Sequence, residues 1–193
     1  MPRRRSEQSL QAVAYAMIFL AVAAFAAGYF LGRGSAAPSP SAVVQGVSVE
    51  LLNDRDYYPT LLDLISRANR SIYIMMYVFK SDTDTIMRIT NLLVSKAKQG
   101  LDVRVILENS IEDNSYAYQL LKEGGVRVVY DSRSVTTHSK LVIIDGYIIL
   151  VGSHNFSYMA MMRNHESSVL IISPELAARQ TEYFMSVWTE STG

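Results

Sequence analysis

The chain has 193 residues, enough for one domain of moderate size and some additional segments. It contains no cysteine, which excludes a disulfide framework and a thiolate metal site. Its formal net charge is zero, and the residues after position 33 carry 14 basic against 17 acidic side chains. Because dedicated nucleic-acid binders usually carry a basic excess, this balance argues against tight binding over a long nucleic-acid footprint, although it leaves room for a small cationic site.

The first 46 residues differ in character from the rest. Residues 1–11 form a basic segment that contains Arg3, Arg4 and Arg5, and residues 12–31 are an apolar run without a charged side chain. Twenty residues at helical rise span about 30 Å, the thickness of a bilayer core. The run therefore predicts a single membrane-spanning helix, with the N-terminus in the cytoplasm and the remainder outside it. A signal peptide cleaved after the small residues 35–37 is the alternative.

Residues 32–46 are rich in Gly, Pro and Ser and predict a flexible tether. From residue 47 onward, strand and helix patterns alternate. Strands are expected at 47–52, 71–79, 101–107, 126–130 and 167–172, and helices at 59–70, 83–99, 115–123 and 174–188. This order predicts an α/β domain over residues 47–193, with helices on both faces of a sheet that a hairpin makes mixed.

The hairpin is predicted by Asp145-Gly146, which separates the apolar β-branched runs 141–144 and 147–151. If these two residues form the whole turn, residue 144 lies directly opposite residue 147, and residue 138 lies opposite residue 153. Side chains alternate along strands and directly opposed residues share a face. His138, Lys140, Ser153 and Asn155 should then converge on one side of an apolar hairpin. His154 should point the other way, into packing or to the surface.

These residues carry the resemblance that identifies the chain as a member of the phospholipase D superfamily. His138, Lys140 and Asp145 fit the family pattern His-x-Lys-x4-Asp, and the chain continues with Gly-Ser-x-Asn at 152–155 and Ala-x3-Asn-x-Glu at 160–166. The resemblance implies that His138, Lys140, Asp145 and Glu166 are catalytic and that Lys140, Ser153 and Asn155 bind the substrate phosphate. Asp145 also has a sufficient structural role as the first residue of an Asp-Gly turn.

Glycine-rich phosphate loops, carboxylate pairs and metal-ligand spacings do not occur in the sequence, so we expect neither a metal nor another cofactor. Cleaving a phosphodiester without a metal requires a nucleophile, a proton donor for the leaving group and fixed positive charge. His138 can be the nucleophile if Glu166 accepts the proton on its other ring nitrogen, and Lys140 supplies the charge. A second imidazole for proton transfer is missing, since His154 is not aimed at the site.

In the family, two such motifs face each other across a pseudo-twofold axis. One histidine forms a phosphohistidine and the other protonates the leaving group. A chain with one motif therefore implies a homodimer with one composite site, paired isologously through the hairpins. The resemblance to compact bacterial nonspecific endonucleases favours DNA or RNA as substrate. The alternatives are a membrane-facing phospholipase or cardiolipin hydrolase, and a non-catalytic tethered phosphate-binding module.

Overall fold

A computed structural model describes residues 46–192 of the chain. The predicted basic segment, the membrane segment 12–31 and the tether up to residue 45 lie outside the described residues. Within residues 46–192, no helix combines the length and the apolar character needed to cross a membrane.

Seven strands form a single mixed sheet, as the sequence predicts. They are β1 Ser48–Asn53, β2 Ser71–Met76, β3 Asp102–Leu107, β4 Arg127–Tyr130, β5 Lys140–Ile144, β6 Ile148–Gly152 and β7 Ser167–Ile172. Their spatial order is β1-β7-β6-β5-β2-β3-β4. The β2, β3 and β4 strands are parallel, and the other neighbours are antiparallel.

Helices cover both faces of this sheet unequally. Four of them pack on one face through an extensive apolar core: α1 Tyr57–Arg67, α2 Asp84–Lys98, α3 Asn114–Glu123 and the short α4 Tyr158–Met162. The long α5, Pro174–Thr192, covers the other face alone and buries Ala177 and Phe184 against Met75, Ile106 and Ile143. The α/β class with helices on both faces is thus confirmed.

One helix cannot cover a sheet of seven strands, and part of the α5 face is left open. Strand alternation places Val49 and Leu51 of β1 and Val151 of β6 on this face. Their exposed fractions are 60%, 66% and 37%. Tyr183 of α5, 53% exposed, lies beside them with Ile149, Ile171 and Leu176 around a shallow hollow. We call the surface formed by Val49, Leu51, Val151 and Tyr183 the open apolar face.

The predicted hairpin exists, but its predicted register is wrong by one residue. Ile144 pairs with Ile148 and Leu141 with Val151, so that Tyr147 belongs to the turn. Asp145 and Gly146 both have the positive φ, 55° and 74°, of a primed turn. The Tyr147 carbonyl, however, accepts the N–H of Ser173 at 2.8 Å, which draws this residue out of the hairpin ladder.

The hairpin also lies inside the sheet, with β2 on one side and β7 on the other. All five residues of β5 are buried. Both edges of the hairpin are therefore paired within one chain, although Val151 and Gly152 of β6 remain exposed. That two chains pair through the hairpins stays a prediction.

The sheet has two chemically different ends. We call the end where β2, β3, β4 and β6 finish and where β5 and β7 begin the site end. The loops at this end span residues 77–83, 108–113, 131–139 and 153–166. The Asp145-Gly146 turn and the start of β1 at Ser48 lie at the opposite end.

Candidate active site

His138 and Lys140 lie together at the site end, as the sequence predicts. The Lys140 ammonium is 3.2 Å from Nδ1 and 3.3 Å from Nε2 of the His138 ring, and it donates to the His138 carbonyl at 2.9 Å. The Tyr77 ring packs against the imidazole with centroids 4.3 Å apart, and the ammonium lies 4.9 Å from the centre of the same ring. Because an ammonium can only donate hydrogen bonds and lies almost equally far from both ring nitrogens, it can donate to either of them. The contact fixes the imidazole beside a positive charge.

An extension of β2 holds the parts of the site in place. The Tyr77 N–H donates to the Ser139 carbonyl at 3.0 Å, which fixes the backbone between the two catalytic candidates. The next residue, Val78, accepts the N–H of Phe156 at 2.9 Å and donates to the Asn155 side-chain oxygen at 3.3 Å. The oxygen of Asn155 is thus used internally, which leaves the NH₂ group as the end that can donate to a phosphate.

Lys140 is buried, with 7% of its surface exposed. Burial lowers the pKa of its ammonium, and the negative charge of Glu166 acts in the opposite direction. A charged, poorly hydrated ammonium interacts strongly with an anion. Lys140 is therefore placed to stabilise negative charge that develops on a phosphate beside His138.

Ser153 and Glu166 form a second group of the site. The Ser153 hydroxyl donates to Glu166 Oε2, and the Asn164 amide donates to Oε1 at 3.0 Å. Among the hydrogen bonds of residues 46–192, none joins Glu166 to the His138 ring. The predicted partnership of Glu166 with the imidazole is therefore not formed within one chain.

Gly152 permits the close approach of two strands at this point. A Cβ on residue 152 would lie 2.4 Å from the Cα of Ser168 and 2.5 Å from the Ser167 carbonyl oxygen. No side chain fits, because both obstacles are backbone atoms. The glycine before Ser153 is therefore required to bring Ser153 and the start of β7 together.

Asp54 is a further residue of the site, and the sequence did not reveal it. It adopts a positive φ of 51°, which is strained for a residue other than glycine. Its N–H donates to the Glu166 carbonyl at 2.9 Å, and its Oδ1 accepts the Glu166 N–H at 2.8 Å. This reciprocal pair fixes the backbone of Glu166 from a loop 112 residues away in the sequence.

The two other histidines have different positions. His165 is exposed and bonds Asp54 Oδ2 at 3.0 Å. His154 is buried and stacks on Tyr57, with ring centroids 4.2 Å apart. Its Nε2 faces the Asp54 carbonyl at 3.0 Å and therefore donates, while its Nδ1 accepts from the Ser168 hydroxyl at 2.7 Å. His154 is thus a packing residue that supports the Asp54 loop.

Asp145 lies at the opposite end of the sheet from His138. Seven residues of extended chain separate them, roughly 20 Å at strand rise. The carboxylate is 4% exposed and accepts the backbone N–H groups of Asn69, Arg70 and Ser71 at 2.8–3.2 Å. It therefore accepts the otherwise unpaired backbone N–H groups of the turn between α1 and β2, and it does not contact the reacting group.

Replacing Asp145 by alanine is expected to lower the free energy of unfolding by about 2 kcal/mol, because three part-buried N–H donors lose their acceptor. Asp145→Asn should cost less, since the amide oxygen can keep the bonds of Oδ1. Denaturant unfolding measures both, and the folded fraction should keep its kcat. A fully folded Asp145→Asn protein without activity would show that this carboxylate has a chemical role.

Residues 46–192 contain no group of three or more His, Asp or Glu side chains arranged to hold a metal ion. The chemistry at the site end is that of an imidazole, an ammonium, a hydroxyl, a carboxamide and a carboxylate. This set supplies a nucleophile, fixed positive charge and neutral donors around one exposed position.

Comparison with solved structures places this site in a known fold. Nuc from Salmonella typhimurium, a phospholipase D family member, superposes with a TM-score of 0.67 and 27% sequence identity, over 75% of this chain and 95% of Nuc. NucT from Helicobacter pylori shares the fold with a TM-score of 0.64 and 23% identity, over 75% and 97% of the two chains.

Curated relatives match in sequence over the same region. The mitochondrial cardiolipin hydrolase of Chlamydomonas reinhardtii is 26% identical over 130 residues, which are 66% of this chain and 55% of that protein. The phospholipase D of Rickettsia prowazekii is 29% identical over 133 residues, 68% of this chain and 62% of that protein. The chain thus spans somewhat more than half the length of these relatives. The family described as "Cardiolipin synthase, PLD-like domain" matches residues 61–188. By its fold and by this match over most of its length, the chain belongs to the phospholipase D superfamily.

Proposed function

We propose that the protein is a metal-independent phosphodiesterase. Its proposed activity is that of a nonspecific endonuclease, which hydrolyses DNA or RNA in a composite site formed by a homodimer. The observation that carries the proposal is the exposed His138 ring, held between the Lys140 ammonium and the Tyr77 ring. A non-catalytic phosphate-binding module would need the ammonium and the neutral donors but not a positioned imidazole.

The proposed reaction has two steps. A ring nitrogen of His138 attacks the phosphorus, and the bond to the leaving oxygen breaks as that oxygen takes a proton from the imidazolium of a second chain's His138. Water then attacks the phosphohistidine and gives its proton to the second imidazole. This releases the phosphate monoester and restores both rings. Lys140 and the NH₂ group of Asn155 stabilise the phosphoryl oxygens throughout. The Ser153 hydroxyl adds a further hydrogen bond when it turns from Glu166 to the phosphate.

The dimer supplies the imidazole that one chain lacks, since His154 is buried and His165 is tied to Asp54. The open apolar face is the surface we assign to the contact. Its valine, leucine and tyrosine side chains are exposed on a sheet face beside α5, and Val151 of the hairpin is one of them. Burying such apolar surface is the main driving force of association.

One feature supports nucleic acid as the substrate. Arg133 and Arg163 are exposed in the loops at the site end, on either side of the motif in the chain, where they can meet neighbouring phosphates. We propose that residues 12–31 anchor the protein with the domain outside the cytoplasm.

A phospholipid or cardiolipin substrate is the second candidate, and it has its own supporting observation. Val135 and Met159 at the site end are 67% and 55% exposed, and Tyr158 is 37% exposed. Apolar and aromatic side chains beside a site can enter a lipid surface. The names of the curated relatives point in the same direction.

The experiment that separates these candidates incubates residues 47–193, in EDTA, with plasmid, RNA and cardiolipin-containing vesicles side by side. We expect cleavage of nucleic acid that persists in the chelator, because His138 and Lys140 supply the nucleophile and the charge. Activity that disappears in EDTA and returns with magnesium would contradict the mechanism.

Two matched variants sharpen the same experiment. Arg163→Ala should slow plasmid cleavage, whereas Met159→Ser should leave it unchanged. The reverse pattern, with vesicle hydrolysis as the main activity and Met159→Ser the damaging change, would establish the lipid as the substrate.

A further inference from the structure

Two buried carboxyl groups meet next to His138, outside the chemistry described above. Glu108 follows β3 and Asp131 follows β4, and they are 3% and 5% exposed. The N–H of Thr137 lies 2.7 Å from Glu108 Oε2 and 2.9 Å from Asp131 Oδ2. Thr137 directly precedes His138, so this one backbone group ties the segment that carries the imidazole to two parallel strands.

The four oxygens of the pair have one hydrogen-bond donor too few. Glu108 Oε1 accepts the N–H and the hydroxyl of Ser110, and Asp131 Oδ1 accepts the N–H of Asn109. The other two oxygens face the same Thr137 N–H, which has a single hydrogen. Two ionised carboxylates at this separation also repel each other. A proton shared between the two oxygens removes the repulsion and supplies the missing donor.

The surroundings place this proton on Asp131. Burial raises the pKa of the Asp131 carboxyl, and the neighbouring Glu108 raises it further. Burial acts to raise the pKa of Glu108 as well, but the hydrogen bonds from Ser110 and Thr137 bring it below its ordinary value. Other titratable groups border the pair: His138, Tyr183 and Glu190 line a cavity of about 90 Å³ with Asp131, and Arg133 lines a neighbouring cavity with Glu108.

We infer that Glu108 and Asp131 are positioning residues that share one proton and hold the Thr137 N–H between them, and that the His138 segment is held most firmly once this proton has left. The inference rests on the proposed phosphodiesterase activity only for its effect on rate. The Thr137 N–H lowers the pKa of both carboxyl groups, so ionisation strengthens the bonds that it makes to them. The hold therefore becomes tighter as the pH rises through the raised pKa of Asp131. Below that pH a looser segment lets His138 move relative to Lys140, and a displacement of about 1 Å in a reacting group can cost on the order of 10²-fold in rate.

Asp131→Asn tests the shared proton, because its NH₂ group donates permanently to Glu108 while its oxygen keeps the bond from Asn109. Glu108→Gln is the matched variant with the same change in charge. Its NH₂ group faces the Asp131 carboxyl, which can accept from it, so this variant keeps the titration at Asp131 that Asp131→Asn lacks.

The measurement is hydrogen exchange of the Thr137 amide between pH 4 and pH 8, corrected for intrinsic exchange. For the wild-type protein we expect protection to rise about tenfold as the pH rises, which is the difference between a hydrogen bond to a neutral and to a charged acceptor. Asp131→Asn should remove this pH dependence, and Glu108→Gln should keep it. The pH dependence of kcat for a chromogenic phosphodiester should follow the same pattern, apart from the histidine titrations that all three proteins share.

Wild-type protection that stays constant over this range would overturn the inference without any variant. So would profiles of the wild-type protein and Asp131→Asn that coincide. A wild-type protein that cleaves no phosphodiester would contradict the proposed function instead, and the exchange result would still decide the role of the pair.

Discussion

Replacing His138 by asparagine is expected to abolish phosphodiester cleavage, with a loss of at least about 10⁴-fold, the scale seen when a covalent nucleophile is removed. Asparagine keeps a polar side chain of similar size but has no ring nitrogen that can attack phosphorus. Lys140 retains its bond to the carbonyl of residue 138, so the fold should be unaffected.

His165→Asn is the matched control for this substitution. His165 is exposed and contacts Asp54, and the same chemical change at this position should leave most of the rate intact. Steady-state kinetics gives the rates of both variants, and circular dichroism shows whether both are folded. A folded His138→Asn protein that keeps a tenth of the wild-type kcat would exclude His138 as the nucleophile.

Placing a charge on the open apolar face is expected to break the dimer and, with it, the activity. Leu51 is 66% exposed on β1, so Leu51→Glu buries nothing unfavourable in a single chain. In a dimer it would bury an unpaired carboxylate, which is strongly unfavourable. We expect the variant to be monomeric and at least about 10²-fold less active, because the general acid comes from the other chain.

Ser48→Glu provides the control, since it adds the same charge to the same strand on the opposite face. It should remain dimeric and active. Analytical ultracentrifugation and kinetics are measured on both proteins. A monomeric Leu51→Glu protein with full activity would show that one chain is sufficient for the reaction.

Much of the fold follows from local patterns in the sequence. The helix predicted at 83–99 is Asp84–Lys98 in the structure, because its apolar residues recur at helical spacing and Gly100 follows it. The strand at 167–172 is found with the same bounds. The five-residue helix Tyr158–Met162 was not predicted, since it is too short to show a helical period.

The hairpin shows where local patterns fail. Asp145-Gly146 predicts the turn correctly, but the register depends on the bond between Tyr147 and Ser173, the residue that follows β7. Such a competitor is invisible in a short window of sequence. A shift of one residue changes which side chains oppose each other, and for this reason the predicted pairing of His138 with Ser153 does not form.

Only part of the site was predicted, because several of its contacts join residues that are far apart in the sequence. The motif correctly brings His138 and Lys140 together, because they are two residues apart at the start of one strand. Asp54 and the Glu108–Asp131 pair join them only through contacts between distant loops. Isolated acids in a sequence carry no sign of such contacts. The strained φ of Asp54 and the shared N–H of Thr137 are visible only in three dimensions.

The most direct test of the composite site mixes wild-type and His138→Asn chains in equal amounts, after unfolding and joint refolding. If both imidazoles are required, random pairing leaves active wild-type dimers as about a quarter of all dimers, since each heterodimer has a single imidazole. We therefore expect the activity of the mixture to be about a quarter of that of an all-wild-type sample at the same total concentration. An activity of about half would mean that each chain works alone, and it would contradict the shared site.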